Sequence, residues 1–187
     1  MSKFLITGLG NICEEYENTR HNIGFMILDA FAKKEKFSFS SKRYADVTEF
    51  KYKGKILFFI KPATFMNLSG NAVRYWLQKE NILLENLLVI CDDIALPLGS
   101  LRMKTKGGDG SHNGLTSIIE TLGTSEFSRL RFGIGNNFPK GYQSDYVLGK
   151  WTHEEKQILT PKIEIAAEMI KSFVAFGSAK TMTDFNE

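Results

Sequence analysis

Three stretches of the sequence put polar residues where chemistry can be done. Gly8-Leu9-Gly10-Asn11 follows an apolar run near the N-terminus, and Ile90-Cys91-Asp92-Asp93 ends another apolar run in two adjacent acids. Gly107-Gly108-Asp109-Gly110-Ser111-His112-Asn113-Gly114 sets glycine at four of eight positions around a histidine and an asparagine. Two further stretches, Thr19-Arg20-His21-Asn22 and Phe65-Met66-Asn67-Leu68-Ser69-Gly70, sit where helical patterns begin. A histidine beside a carboxylate suits general-base chemistry: the imidazole takes a proton from water, and an acid on its other nitrogen fixes the tautomer and stabilises the imidazolium. Asparagine amides donate and accept without charge, so several of them grip a peptide backbone without reading its side chains. A helix start behind a glycine-rich loop offers free N–H groups to an anion or a developing oxyanion.

Other chemistries fail on spacing. Gly8-Leu9-Gly10 opens like a dinucleotide fingerprint, but Cys13 stands at the third glycine position. Gly110-Ser111-His112 is not a nucleophile elbow. The sequence has no HExxH and no ligand-spaced Cys/His set, so neither a metal nor a cofactor is expected. A Cys13–His21 nucleophilic pair lacks neighbours that would lower the thiol pKa. Each stretch taken singly also has a plain structural reading. Gly8–Asn11 makes a tight turn, Asn22 caps a helix, His112 holds its loop or helix start, and His153 lies at the surface. Adjacent strand side chains point to opposite faces, so only one of Asp92 and Asp93 serves a given site, and spacing does not say which.

The elements that must position these groups alternate between strand and helix. Residues 3–7 read as a strand, and 22–34 as a helix with Ile23, Met26, Ile27, Ala30 and Phe31 at helical spacing. Residues 47–52 and 55–61 flank Lys53-Gly54 as a hairpin. Helices are predicted over 67–79 and 114–122, and strands over 87–90, 101–105 and 130–135. The apolar run Leu87-Leu88-Val89-Ile90 suits a strand covered on both faces. Thr152-His153-Glu154-Glu155 is a capping box, so the last helix starts there and runs through Ile163, Ala166, Ile170 and Phe173. Pro161 inside it implies a kink or a later start. The fold class is α/β, a twisted mixed sheet flanked by helices in one domain spanning 1–187.

Composition fits that reading. Of 187 residues, 43% are hydrophobic and 24% charged, which excludes a disordered chain. No apolar run reaches membrane-spanning length, and the N-terminus turns to glycine too soon for a signal peptide, so a cytoplasmic protein is expected. Cys13 and Cys91 read as reduced thiols. The net charge of +3 permits a nucleic-acid partner without demanding one. Arg102, Lys104, Lys106, Arg129 and Arg131 form a modest phosphate patch if they share a face.

Taken together, the motifs resemble a known family. Gly8–Asn11, Tyr16, Thr19–Asn22 with Ile23-Gly24-Phe25, Lys61-Pro62 with Phe65–Gly70, Asp92-Asp93 with Leu96-Pro97-Leu98-Gly99, and His112-Asn113-Gly114 follow the order and spacing of bacterial-type peptidyl-tRNA hydrolase. Arg129–Gly135 and Val147-Leu148-Gly149-Lys150 continue the match over nearly the whole chain. The resemblance implies a monomeric, cytoplasmic, metal-independent enzyme that hydrolyses the ester between peptide and tRNA and frees the tRNA for translation. It implies His21 as general base on water and Asp92 as its orienting acid; Asn113, at a helix start beside the glycine loop, is expected to donate to the oxyanion. By the same resemblance Asn11, Tyr16, Met66, Asn67 and Asn113 line the substrate site, and Lys104 and Arg131 bind tRNA phosphate. This chain departs from the family at Ile12-Cys13, where Pro-Gly is usual, and at Ser111, where glycine is usual. A Cβ at either position is expected to stiffen or reshape a site loop.

Overall fold

The computed structural model describes residues 1–186. Seven strands form one sheet in the order β2-β3-β4-β1-β5-β7-β6. The central strands β4 (Lys55–Pro62), β1 (Lys3–Gly8), β5 (Leu87–Asp93) and β7 (Ser128–Gly133) are parallel neighbours. The edges are antiparallel: β2 (Ser40–Lys42) on β3 (Ala45–Tyr52), β3 on β4, and β6 (Leu101–Lys104) on β7. The predicted hairpin is β3–β4. Its turn residues Lys53 (φ 46°) and Gly54 (φ 72°) both adopt the left-handed conformation that a tight two-residue connection requires.

β5 is buried on both faces, as its apolar run predicts. Leu88 and Ile90 join Phe4, Ile6 and Phe59 under α1 (Ile23–Glu35) and α5 (His153–Phe176). Leu87, Val89 and Cys91 join Leu5 and Ile60 under α2 (Ser69–Lys79) and α3 (Asn113–Leu122). The alternation that covers both faces also turns Asp92 toward the α1 side and Asp93 toward the α2–α3 side. Neither cysteine is in a disulfide. Burial, then the charges of Asp92 and Asp93, push the Cys91 thiol well above its usual range, whereas Cys13 is exposed. Titration with an aromatic disulfide should find one reactive thiol in the native protein and the second only after unfolding. Two fast-reacting native thiols would refute this packing.

Three expectations change. Asn22 does not cap α1; its side chain bonds elsewhere. α5 begins at the capping box and continues through Pro161 without a later start. Three elements were not foreseen: β2, α4 (Gln143–Val147) and α6 (Ser178–Phe185). They are only three to eight residues long, too short to show a clear period. No described helix is long and apolar enough to cross a membrane.

Candidate active site

The polar segments meet outside the carboxyl ends of β1 and β5, where open α/β sheets gather ligands. One close backbone contact sets the arrangement. A Cβ on Gly24, in the first turn of α1, would run into the backbone of Leu9 and the carbonyl of Ile90. Its absence lets α1 press on the end of β1, and the preceding 3-10 turn (Arg20–Asn22) lands above the sheet. Asn22 then accepts the Asn11 N–H on Oδ1 at 2.8 Å and donates from Nδ2 to the Asn11 carbonyl at 2.9 Å. Asn11 Oδ1 accepts the Met66 N–H at 2.7 Å. Asn11 is thereby held at three points. Asn22 belongs to the Thr19–Asn22 motif, but sequence spacing gave it only the role of cap.

Asp92, buried beneath this turn, decides between the two acids. His21 Nδ1 lies 2.8 Å from Asp92 Oδ2 and 3.0 Å from Oδ1, which suits Nδ1 as the donor and leaves Nε2 without a partner among the described residues. Asp93 instead accepts from Arg131 Nη1 at 3.2 Å and from the Ala95 N–H at 2.8 Å. His112 approaches Asp92 from the other side, with Nε2 2.8 Å from Oδ1. His112 Nδ1 accepts the N–H groups of Gly114 and Leu115, at 3.1 and 3.3 Å, as the cap of α3. His112 therefore holds the helix start, as expected, and also touches Asp92, which was not expected. Burial alone would raise the Asp92 pKa. The attraction of His112 and His21, with the hydrogen bonds they donate, outweighs it and holds the carboxyl well below the usual range.

His21, Asp92 and His112 have the composition of a metal site. Ligation through His112 Nε2 would put the ring proton on Nδ1 and break both cap bonds to α3. The donor set therefore fits a hydrogen-bonded carboxylate better than a metal ion.

A cavity of about 240 Å³ opens in front of His21. Asn11, Tyr16, Met66, Asn67 and Asn113 all line it, so one space gathers all the site residues that sequence placed around the base. The side chains of Asn67 and Asn113 are exposed. Tyr16 and Phe65 meet edge to face at 6.5 Å along its rim. Ser144, Val147 and Leu148 close the far side. They come from α4 and its end; Val147 and Leu148 fall in the Val147–Lys150 motif, but nothing in the sequence placed them, or Ser144, at the site.

Arg20 ties this wall to the base. Its guanidinium donates to both oxygens of Glu155, at 3.0 and 3.1 Å, and to the Tyr146 carbonyl at 3.0 Å. It also stacks 4.3 Å from the Tyr146 ring centroid. Glu155 is at the same time the reciprocal arm of the capping box, accepting the Thr152 N–H. One ion pair thus joins the residue before His21, α4 and the start of α5.

Four of the five candidate phosphate cations share a face. The β6–β7 register pairs Arg102 with Arg131 and Lys104 with Arg129, all on the α2–α3 side. Arg129 is fully buried, donates to the carbonyls of Gly108 and Ser125, and so fastens the glycine loop instead of meeting solvent. Lys104 forms no ion pair among the described residues. Burial, then the charges of Arg131 and Arg129, lower its pKa. Lys104 and Arg131 are therefore cations crowded together beside the site, which an arriving anion would relieve.

The two departures keep glycine-like backbone. Cys13 has φ 85° and ψ 146°, and Ser111 has φ 61°. The Cys13 conformation is open almost only to glycine and costs an L-residue on the order of 1–3 kcal/mol. Both positions thus hold an L-residue in a left-handed conformation that favours glycine. Cys13→Gly is expected to raise stability by about 1 kcal/mol, because relief of strain outweighs the added unfolded-state entropy. The urea midpoint should rise with an unchanged slope, and a fall would refute the strain.

Comparison with known proteins agrees with this geometry. A family model described as peptidyl-tRNA hydrolase matches residues 5–187. The peptidyl-tRNA hydrolase of Azobacteroides pseudotrichonymphae is 58% identical over 185 residues, 99% of this chain and 100% of that protein. That of Bacteroides fragilis is 56% identical over 99% of each. The crystal structure of peptidyl-tRNA hydrolase from Acinetobacter baumannii superposes with a TM-score of 0.92 at 32% identity, covering 98% of this chain and 94% of that one. The protein belongs to the peptidyl-tRNA hydrolase family.

Proposed function

We propose that the domain spanning residues 1–187 hydrolyses the ester joining a peptide to the 3′ end of tRNA and returns free tRNA to translation. The observation that carries this reading is the pairing of His21 Nδ1 with Asp92 at the rim of a cavity lined by three asparagines. His21 Nε2 takes a proton from water as the water attacks the ester carbonyl, and Asp92 stabilises the imidazolium that forms. The Asn113 amide donates to the oxyanion of the tetrahedral intermediate. His21 then returns the proton to the ribose oxygen as the ester bond breaks, giving peptide acid and tRNA. Asn11 and Asn67 hold the peptide backbone, with Tyr16 and Met66 packed beside it. Such amide contacts tolerate any peptide sequence. The chain acts as a cytoplasmic monomer and needs no metal.

Lys104 and Arg131 receive acceptor-stem phosphates. Alanine at either is expected to raise KM for peptidyl-tRNA, leave kcat nearly unchanged and lower the slope of log binding against log salt by about one. A slope that stays at the wild-type value in both variants would remove them from the interface.

The reading as a whole is tested by release of peptide from N-acyl-aminoacyl-tRNA with chelator present. Turnover supports it. Loss of turnover on adding chelator would point to a metal, and equal turnover of small esters would point to a general esterase. Binding of tRNA with the ester left intact would make the chain an RNA-binding protein.

A further inference from the structure

His112 is held at both ring nitrogens. Because Nδ1 accepts two backbone N–H groups, the ring proton must lie on Nε2, and Nε2 donates to Asp92 Oδ1. That oxygen is shared, since His21 Nδ1 is 3.0 Å from it, whereas His21 alone bonds Oδ2 at 2.8 Å. The two rings lie 4.7 Å apart at 45°. Protonating His112 on Nδ1 would drive a hydrogen against the N–H groups of Gly114 and Leu115. The cap therefore orients His112 as an Nε2 donor to Asp92, beside a base that must become an imidazolium during the reaction.

We propose that His112 is a positioning residue: the α3 cap locks it as an Nε2–H donor to Asp92, where it moderates the carboxylate's pull on His21 and so sets the lower end of the working pH range. The proposal rests on His21 being the base. The other charges around the base are already committed. Asp93, also on β5, faces Arg131. Asp109, in the glycine loop, accepts from Thr116 Oγ1 and the Ser111 N–H. Arg20, next to His21, is held by Glu155. His112 is thus the group through which Asp92 is adjusted. A carboxylate that loses one of its donors binds its remaining proton partner more tightly, which delays release of the proton from His21 as pH rises.

His112→Asn separates this role from helix capping. Asparagine is a strong cap residue, but its shorter side chain gives up the ring donor to Asp92. The variant is expected to melt close to wild type while the acid limb of kcat/KM moves to higher pH by about 0.5–1. On the acid limb its kcat/KM falls roughly 3–10-fold, and the deficit shrinks as pH rises past that limb. His112→Ala removes both roles and should show the same displacement with a lower Tm. An acid limb at the wild-type position in His112→Asn overturns the proposal, whether the rate is unchanged or reduced by a constant factor. A second measurement does not depend on turnover. In ¹⁵N NMR of the wild-type protein, neutral His112 should show the Nε2–H tautomer, with Nδ1 an acceptor. The Nδ1–H tautomer overturns the lock. Absence of wild-type turnover would overturn the catalytic role together with the hydrolase reading, while the NMR result still decides the lock.

Discussion

His21→Ala is expected to lower kcat/KM for peptidyl-tRNA by roughly 10²–10⁴, the usual worth of a positioned general base. His21 is the residue whose ring both bonds Asp92 and lines the cavity shared by Asn11, Asn67 and Asn113. Without it, water must attack unassisted, and Asp92 keeps only His112 as a side-chain partner. Residual turnover would come from the amide donors and from holding the substrate, which survive removal of a base. KM should change little, because the phosphate contacts and the asparagines remain. Chelator should affect neither protein. The decisive measurement is single-turnover release of peptide from N-acyl-aminoacyl-tRNA, with circular dichroism to confirm the fold. A variant retaining most of the wild-type rate would remove His21 from the chemistry. A variant lacking both activity and native ellipticity would show only that the turn at Arg20–Asn22 needs the ring for folding.

Arg20→Ala should produce the largest loss of stability. Arg20 and Glu155 side chains are only 10% and 16% exposed, and removing one partner leaves the other charge buried. Breaking such a pair typically costs about 3–5 kcal/mol. For a chain of this size that corresponds to a drop in Tm of roughly 6–20 °C. Glu155→Ala should cost as much or slightly more, because Glu155 also closes the capping box on the Thr152 N–H. Function should suffer beyond the loss of folded protein. Arg20 precedes His21, and Tyr146, on which it stacks, belongs to the helix that supplies Ser144 and Val147 to the cavity wall. At a temperature where Arg20→Ala remains folded, a rise in KM is therefore expected. Methionine at position 20 should recover part of the stability through its apolar stem, but not the positioning of α4. Melting curves of the three variants and the double variant Arg20→Ala/Glu155→Ala test this. A double variant as destabilised as the two singles added together would mean that the pair is not coupled.

Much of the fold was legible because one-dimensional patterns report it directly. The period of Ile23, Ile27 and Phe31 gives α1, the unbroken run before Asp92 gives a strand buried on both faces, and the Lys53-Gly54 turn gives the hairpin. The short elements β2, α4 and α6 were not legible. Their stability comes from neighbours: β2 from its register with β3, α4 from Arg20, and α6 from its contacts with α5, including the Ser172–Thr181 hydroxyl pair. The later start that Pro161 suggested fails for the same reason. Packing of Ala166, Ile170 and Phe173 holds α5 through a residue that local propensity would place at a break.

The site divides in the same way. Residue type and spacing, read through the family resemblance, named His21, the acid pair and the three asparagines, because each motif is contiguous and its chemistry belongs to the side chains themselves. Spacing left Asp92 and Asp93 open, and the resemblance pointed to Asp92. The tertiary structure supplies the physical reason, since strand alternation turns Asp92 toward His21 and Asp93 toward Arg131. It also made Asn22 a clamp on Asn11, buried Arg129 under the glycine loop, and put His112 on Asp92. Each of these depends on distances between residues 11 to 71 positions apart, or on which face of a strand meets which helix. Sequence order carries the chemical identity of such groups, and packing alone decides which atoms face one another.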